Sequence, residues 1–277
     1  MTSEQSNKLE EYREDLHISH SQIFTYLNCS LKYCFSYVEG RMPEHRSAAM
    51  LFGSAIHAAI ARYYKGVQKK GKPEPLSLYQ DLFHDHWNWE TEDTGIPIAY
   101  KDGQNQDSML NEGQLLVKTF YEGAKPMEVI GVEEPYSSVL YDEEGNPTDF
   151  KLIGIVDCIQ RDKDGNLIII DNKTANRAYS KDKIEQDLQM TVYSYLMCAN
   201  KLMPAKADTK HRFDVLLKLK QPRLDIYYTT RSAADRKRLT KIINQVLRGI
   251  EAGVFFPNPS WMCSDCQYAQ ACVKWSI

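Results

Sequence analysis

The sequence predicts an α/β fold in which helices flank a mixed sheet, and three observations carry that expectation. The apolar residues keep a helical period up to about residue 125 and switch to a period of two from Glu128. Two short runs near the middle, Gly154-Ile-Val-Asp157 and Asp171-Asn-Lys173-Thr174, each close an apolar, strand-like stretch. A helical stretch, a second pair of strands and a charged helix then follow, the order expected of a sheet covered by helices.

Taken in order, residues 1–17 are polar and read as a disordered or frayed arm. Ser19 or Ser21 can cap a helix running to about Tyr37, with Ile23, Tyr26 and Leu27 on one face. A second helix is expected from Ser47 to Lys65. Gly71-Lys-Pro-Glu-Pro75 interrupts the chain before helical spacing resumes from Leu76 to Trp89. Residues 91–106 read as loop and Asp107 to Glu122 as a further helix. Strands are expected at Glu128–Tyr141, Phe150–Gln160 and Leu167–Asn172. A long helix should span Lys181 to Leu202, followed by strands at Arg212–Leu219 and Leu224–Thr229. Ser232 to Ala252 is a strongly charged amphipathic helix, and the tail from Pro257 onward is irregular and cysteine-rich.

At 277 residues the chain can bury a large core. No apolar run is long enough to span a bilayer, and Met1 to Glu14 is unlike a signal peptide, so no membrane association and a cytoplasmic setting are expected. The net charge of −3 does not mark a nucleic-acid binder, although a local basic groove can coexist with an acidic remainder.

The two central runs carry the chemistry. Asp162-Lys-Asp-Gly165-Asn166 separates them, with Gly and Asn expected to supply the positive φ of a hairpin turn. Adjacent antiparallel strands would hold Asp157 near Asp171. Alternation puts Asp171 and Lys173 on one face and Asn172 on the other. Two carboxylates and an ammonium on one sheet face are costly in a plain core. They suit a site that binds a hard divalent cation and activates water against a phosphodiester.

Other residues gain weight from that pair. His57, alone, reads as an ordinary partly buried histidine; beside two carboxylates it becomes an extra metal ligand. Gly53, four residues earlier, either lets its helix approach a strand closely or is simply a tolerated helix glycine. Glu133, on the strand before the hairpin, is a further active-site acid. Gln189 and Tyr193 stand four apart on one helix face and can reach the site together. Lys218, Lys220 and Arg223 can track a phosphate backbone. The run Arg231, Arg236, Lys237, Arg238 and Lys241 reads by default as a solvated helix face.

Seven cysteines are unevenly spread. Cys263, Cys266 and Cys272 crowd the tail; a distant fourth thiolate would complete a site for zinc or an iron–sulfur cluster, which spacing does not separate. Cys29 and Cys34 both lie near the start. On a continuous helix they would point about 140° apart, so only one is expected at the site.

In this order, the Cys29 segment, Gly53-x-x-x-His57, Glu133, Gly154-x-x-Asp157, Asp171-x-Lys173-Thr174, Gln189-x-x-x-Tyr193 and the Cys263/Cys266/Cys272 tail closely resemble the RecB-like branch of the PD-(D/E)XK nucleases. The likeness is to its iron–sulfur exonucleases, typified by the CRISPR-adaptation nuclease and the AddB nuclease domain, and spans roughly residues 18–275. It implies a restriction-endonuclease-like mixed sheet forming one domain over 18–277: a helical part at 18–125, a catalytic core at 126–256 and a cluster-binding tail at 257–277. It also implies Mg²⁺ or Mn²⁺ held by His57, Asp157, Asp171 and the Asn172 carbonyl, with Lys173 positioning water and steadying charge on the phosphate. Gln189 and Tyr193 would support the site or contact DNA. A [4Fe–4S] cluster would be held by Cys29, Cys263, Cys266 and Cys272. The family's N-terminal cysteine precedes Pro-x-Lys/Arg-aromatic; Cys29-Ser30-Leu31-Lys32-Tyr33 fits with Ser at the proline, which selects Cys29 over Cys34. Asn172 departs from a position more often apolar or aromatic. The segment Gly71 to Asp107 matches nothing in the family pattern, and the absence of a Gly-x-x-x-x-Gly-Lys-Ser/Thr loop points to a stand-alone nuclease.

The expected function is therefore DNA exonuclease, acting on single-stranded ends through an enclosed basic passage. Recombination, repair or CRISPR-adaptation proteins are the expected partners. A structure-selective endonuclease, a non-catalytic DNA-end-binding module and a zinc-stapled regulatory protein are the alternatives.

Overall fold

The computed structural model describes residues 1–92 and 95–275. Residues 93–94, within the expected loop, and 276–277, at the end of the expected tail, lie outside the described residues. The segment expected as a frayed arm forms helix α1 (Ser3–Glu14), started by a reciprocal Thr2/Gln5 capping box and anchored by the buried Leu9. Strand β1 (His17–Ser19) follows, and helix α2 (His20–Asn28) begins at a second box formed by Ser19 and Gln22. The helix expected to reach Tyr37 breaks at Cys29, whose φ of −161° is extended. Helix α3 (Ser30–Tyr33) and a π-turn at Cys34–Val38 take its place.

Strand β2 (Arg46–Ser47) leads into helix α4 (Ala48–Lys70), which stops where Gly71 adopts φ +71°. Helix α5 (Leu76–Glu90), strand β3 (Ile98–Ala99) and helix α6 (Gln106–Gly123) complete the helical part. α5 and α6 cross closely at Gly113, where a Cβ would overlap the Phe83 ring.

Strands β4 (Glu128–Tyr141), β5 (Pro147–Arg161) and β6 (Leu167–Ala175) come next. Helices α7 (Lys181–Gln186) and α8 (Leu188–Ala199) replace the single long helix expected here. Asp187 at ψ 119° leaves helical geometry, and its carboxylate caps α8 by accepting from Met190 N. Strands β7 (Thr209–Leu217) and β8 (Arg223–Arg231) precede helix α9 (Ala233–Glu251), capped by Ser232. The tail, expected as irregular, contains a 3₁₀ turn at Trp261–Asp265 and helix α10 (Ala269–Trp275).

The main sheet runs β1-β5-β6-β7-β8, with β4 on the other edge of β5. β1 and β7 lie parallel to their neighbours β5 and β6, whereas β4/β5, β5/β6 and β7/β8 are antiparallel, which makes the sheet mixed. One face packs on α4, α5 and α6 through residues such as Val132, Cys158, Ile168 and Ile170. The opposite face packs on α8 and α9 through Leu152, Val156, Ile159, Ile169 and Phe213. Alternation holds along β6 but slips on β5: Val156 and Ile159 face one core while Cys158 faces the other. The slip falls at Asp157.

Its cause is a fork in the sheet. β5 pairs with β1 at residues 151–153 and with β6 at 158–161, so among the described residues 154–157 take no ladder partner on that edge. Glu133, which would face Asp157 across β4, is skipped between the Val132–Cys158 and Glu134–Val156 pairs and sits at φ +53°. For a glutamate this is an uncommon conformation that the surrounding structure must impose.

Candidate active site

The β5–β6 hairpin sets the site. Gly165 takes φ +83° at the turn; Asn166, also expected at positive φ, instead has its N–H and side-chain amide accepted by Asp162. Beyond Cys158–Ile170 the ladder stops, and Asp157 Oδ2 accepts the Asn172 N–H at 2.9 Å. Asp171 is fully buried. Lys173 Nζ donates to Asp171 Oδ1 at 2.9 Å and to Gln189 Oε1 at 2.9 Å. Gln189 Nε2 donates in turn to Tyr193 Oη at 2.7 Å. Asp171, Lys173, Gln189 and Tyr193 thus form one connected line across the α8 side of the sheet. Gly154 lets α8 sit that close, because a Cβ there would meet Leu196 Cδ1 at 2.9 Å.

From the opposite face α4 brings His57, whose Nδ1 lies 3.5 Å from Asp157 Oδ2. About two turns further on, Tyr64 Oη donates to Asp214 Oδ2, itself held by both nitrogens of Arg212 at 2.7 and 2.8 Å. This buried pair fixes α4 against β7. Gly53 has no heavy atom within 4 Å of its Cβ position, so the close approach expected there does not occur. Glu133 shares His57's cavity of about 550 Å³ and pairs with Lys65 at 3.4 Å and with the Met1 ammonium at 2.6 Å.

Electrostatics follow from this burial. Desolvation pushes the Asp171 carboxyl up to about 7, Lys173 pulling it down and Asp157 adding to the rise. Lys173 is held above its ordinary value: burial works against the charge, but the Asp171 and Asp157 carboxylates outweigh it. Burial raises Tyr193 well above an ordinary phenol. Burial also opposes the charge on Glu133, yet the neighbouring ammonium groups prevail and its pKa falls.

A divalent cation fits these residues. Asp171 Oδ2, 2.9 Å from the Lys173 ammonium, is buried and accepts no hydrogen bond, and the nearby ligand atoms belong to carboxylates and an imidazole. Among the described residues, however, no three His, Cys, Asp or Glu side chains close into a metal-binding group.

The four cysteines Cys29, Cys263, Cys266 and Cys272 line one apolar cavity of about 250 Å³. Cys34 does not; its thiol is buried, faces Glu39 and is pushed up by that burial. Ser30, where the related pattern carries proline, clasps the tail instead. Its Oγ accepts from Phe256 N at 2.9 Å and donates to Phe256 O at 3.2 Å. Leu31, Phe35 and Tyr268 form a small core behind the cavity.

Lys218, Lys220 and Arg223 sit at and beyond the β7–β8 turn, and neither cavity bordering His57 or Asp157 includes them. Lys218 lies over the Phe52 ring, and Arg223 forks onto Asp225. Arg231 and Arg236, expected on a solvated face, are buried and donate to hydroxyls and carbonyls such as Thr191 Oγ1 and Ala205 O. Sequence reasoning missed Asp187 and His20. Asp187 acts on both Asp171 and His20, and the helical spacing that runs through it left no local signal of that role.

The sequence profile of the PD-(D/E)XK nuclease superfamily matches residues 17–273. The chain belongs to that superfamily. Of solved structures, this nuclease-family chain is similar to a proposed exonuclease from Eubacterium rectale, at 14% identity and a TM-score of 0.55, with 97% of this chain and 92% of that one covered. At that identity the likeness speaks for the fold. The structure of SSO0001 aligns at 14% identity over 87% of this chain and 93% of its own, with a TM-score of 0.39, too low to carry an argument. No curated protein matches the chain. Among the described residues no helix is long and apolar enough to cross a membrane.

Proposed function

We propose that the protein is a metal-dependent DNA exonuclease that acts on single-stranded ends. The observation that carries this reading is the buried Asp171, whose Oδ2 accepts no hydrogen bond, beside Asp157 and Lys173 at the open end of the β5–β6 fork. His57, Asp157, Asp171 and the Asn172 carbonyl would hold Mg²⁺ or Mn²⁺. When bound, the cation supplies charge stabilisation at the phosphate and a more acidic water. Lys173 orients the attacking water and stabilises charge on the phosphate oxygens, while Gln189 and Tyr193 hold the Lys173 ammonium in place. Glu133 shapes the site from the His57 side. Lys218, Lys220 and Arg223 would contact the strand's phosphates on its way to the site.

Cys29, Cys263, Cys266 and Cys272 would hold a [4Fe–4S] cluster that ties α2–α3 to the tail. Four thiols lining one cavity are what such a centre needs, and the family resemblance favours the cluster over zinc. The cytoplasm is the expected setting, and recombination, repair or CRISPR-adaptation proteins are the expected partners.

The deciding experiment compares linear and circular single-stranded DNA of one sequence in Mg²⁺ or Mn²⁺. Only the linear form should be degraded; equal cutting of both would replace the exonuclease with a structure-selective endonuclease.

A further inference from the structure

Beside Asp157 lies a second cavity of about 260 Å³ whose residues Arg13, His20 and Ser21 have no role in the reading above. Asp157, Gln189 and Tyr193 line it together with Arg13, His20 and Ser21. Arg13 stands in the last turn of α1, exposed, with no hydrogen bond or ion pair among the described residues. That sets it apart from the cations lining the His57 cavity. Arg62 there is paired with Glu74 at 2.6 Å and Lys65 with Glu133 at 3.4 Å. The Ser21 hydroxyl also lacks a partner among the described residues, since Ser19 supplies the α2 cap. Burial lowers His20 to about 4, with Asp187 opposing and Lys173 adding to the fall. Its imidazole is therefore neutral near pH 7, and Arg13 is the charged donor of the described residues lining the cavity.

The wall that holds Arg13 is also well placed. α1 is fastened to β4, Gln5 Nε2 donating to Val132 O at 2.9 Å and to Glu134 Oε1 at 3.1 Å. Asp15, just past its end, pairs with Lys151 on β5. α1 therefore reaches the rim of the catalytic cleft as a fixed element. It also precedes residues 17–273, the segment matched by the superfamily profile.

We propose that this cavity binds the phosphate next to the one being hydrolysed, with Arg13 as its cationic contact and the Ser21 hydroxyl and His20 imidazole as neutral ones. The inference rests on the nuclease reading and deepens it. The ligand is a nucleic-acid phosphate, either an internal diester or a terminal monoester. An arginine fork matches either, and its planar donors suit a phosphate better than a lysine point charge.

The test measures binding of fluorescently labelled linear single strands by anisotropy without divalent cation, and cleavage separately with it. Strands carry a 5′-phosphate, a 5′-hydroxyl or a 3′-phosphate. Arg13→Ala, at an exposed helical position that tolerates alanine, should bind about tenfold more weakly. Its salt dependence should lose about one phosphate contact. Arg13→Lys should recover part of the loss. A loss confined to one phosphorylated end identifies a terminal monoester, and an equal loss on all strands an internal diester. Unchanged affinity and salt slope in Arg13→Ala would overturn the inference even if the wild type cuts DNA. Wild-type protein that binds through Arg13 but never cuts would overturn the catalytic reading instead.

Discussion

Asp157 and Asn172 are joined where the sheet divides: the Asp157 carboxylate accepts the Asn172 N–H at 2.9 Å through the oxygen that also faces His57. One side chain thus closes the fork between β5 and β6 and links α4 to it. Asp157→Asn keeps an acceptor for Asn172 but loses the charge, while Asp157→Ala loses both. Each should reduce cleavage by about a hundredfold or more, and only the alanine variant should also melt clearly earlier. Cleavage at the wild-type rate by Asp157→Asn would remove Asp157 from the active site.

Asp171 gives the metal-free protein a pH signature. Its folded pKa, about 7, lies above the ordinary value of 3.8, so the folded state holds more protons than the unfolded one between these values. That contribution to stability is present below about pH 4 and is lost as pH rises towards 7. Lys173, shifted upward, stays charged throughout this window and adds no slope. His20, lowered to about 4, and His211, lowered to about 3, slope the other way, so the informative quantity is the difference between wild type and Asp171→Asn. In chelator, the variant should gain on the wild type as pH rises from 4 to 7 in denaturant titrations. A pH-independent difference would mean that Asp171 is ionised throughout.

For the cysteine cavity, anaerobically purified protein should be brown and carry about four irons per chain. Cys29→Ala should bleach it and Cys34→Ala should not, because Cys34 faces Glu39 instead of the cavity. Zinc without iron or sulfide, in place of the colour, would establish the zinc alternative.

Gly113 tests the helical part independently of the chemistry. A methyl there collides with the fully buried Phe83 ring. Gly113→Ala should cost about 1–3 kcal/mol in unfolding experiments, with activity per folded molecule retained. A variant as stable as wild type would show that α5 and α6 can separate freely.

Replacing Lys218, Lys220 and Arg223 with alanine should weaken strand binding across unrelated sequences and flatten its salt dependence. Arg223→Ala alone should do least, because its fork already engages Asp225. Unchanged affinity in the triple variant would place the strand's path elsewhere.

Much of this molecule was legible before its structure. Apolar patterning located the main strands and helices because a strand buried on one face repeats in twos, one buried on both reads as a short apolar run, and a helix repeats in three to four. The nearness of Asp157 and Asp171 followed from a short turn, which leaves neighbouring strands little freedom of register. Local signals also misled. Gly53 carried the mark of a close approach but meets open space, and helical spacing ran straight through Asp187, where a capping carboxylate ends one helix and starts another.

By itself the sequence determined the mixed α/β class, the hairpin that holds two aspartates and a lysine, and the crowding of cysteines in the tail, since each depends on residues close in the chain. Only the tertiary structure decided the rest. The slip of β5 at Asp157 arises because β1 and β6 claim different halves of one strand edge. The positive φ of Glu133 is imposed across the sheet, and α1 becomes a wall of the cleft through contacts with β4 about 127 residues away. These features follow from long-range contacts, whose geometry no local pattern encodes.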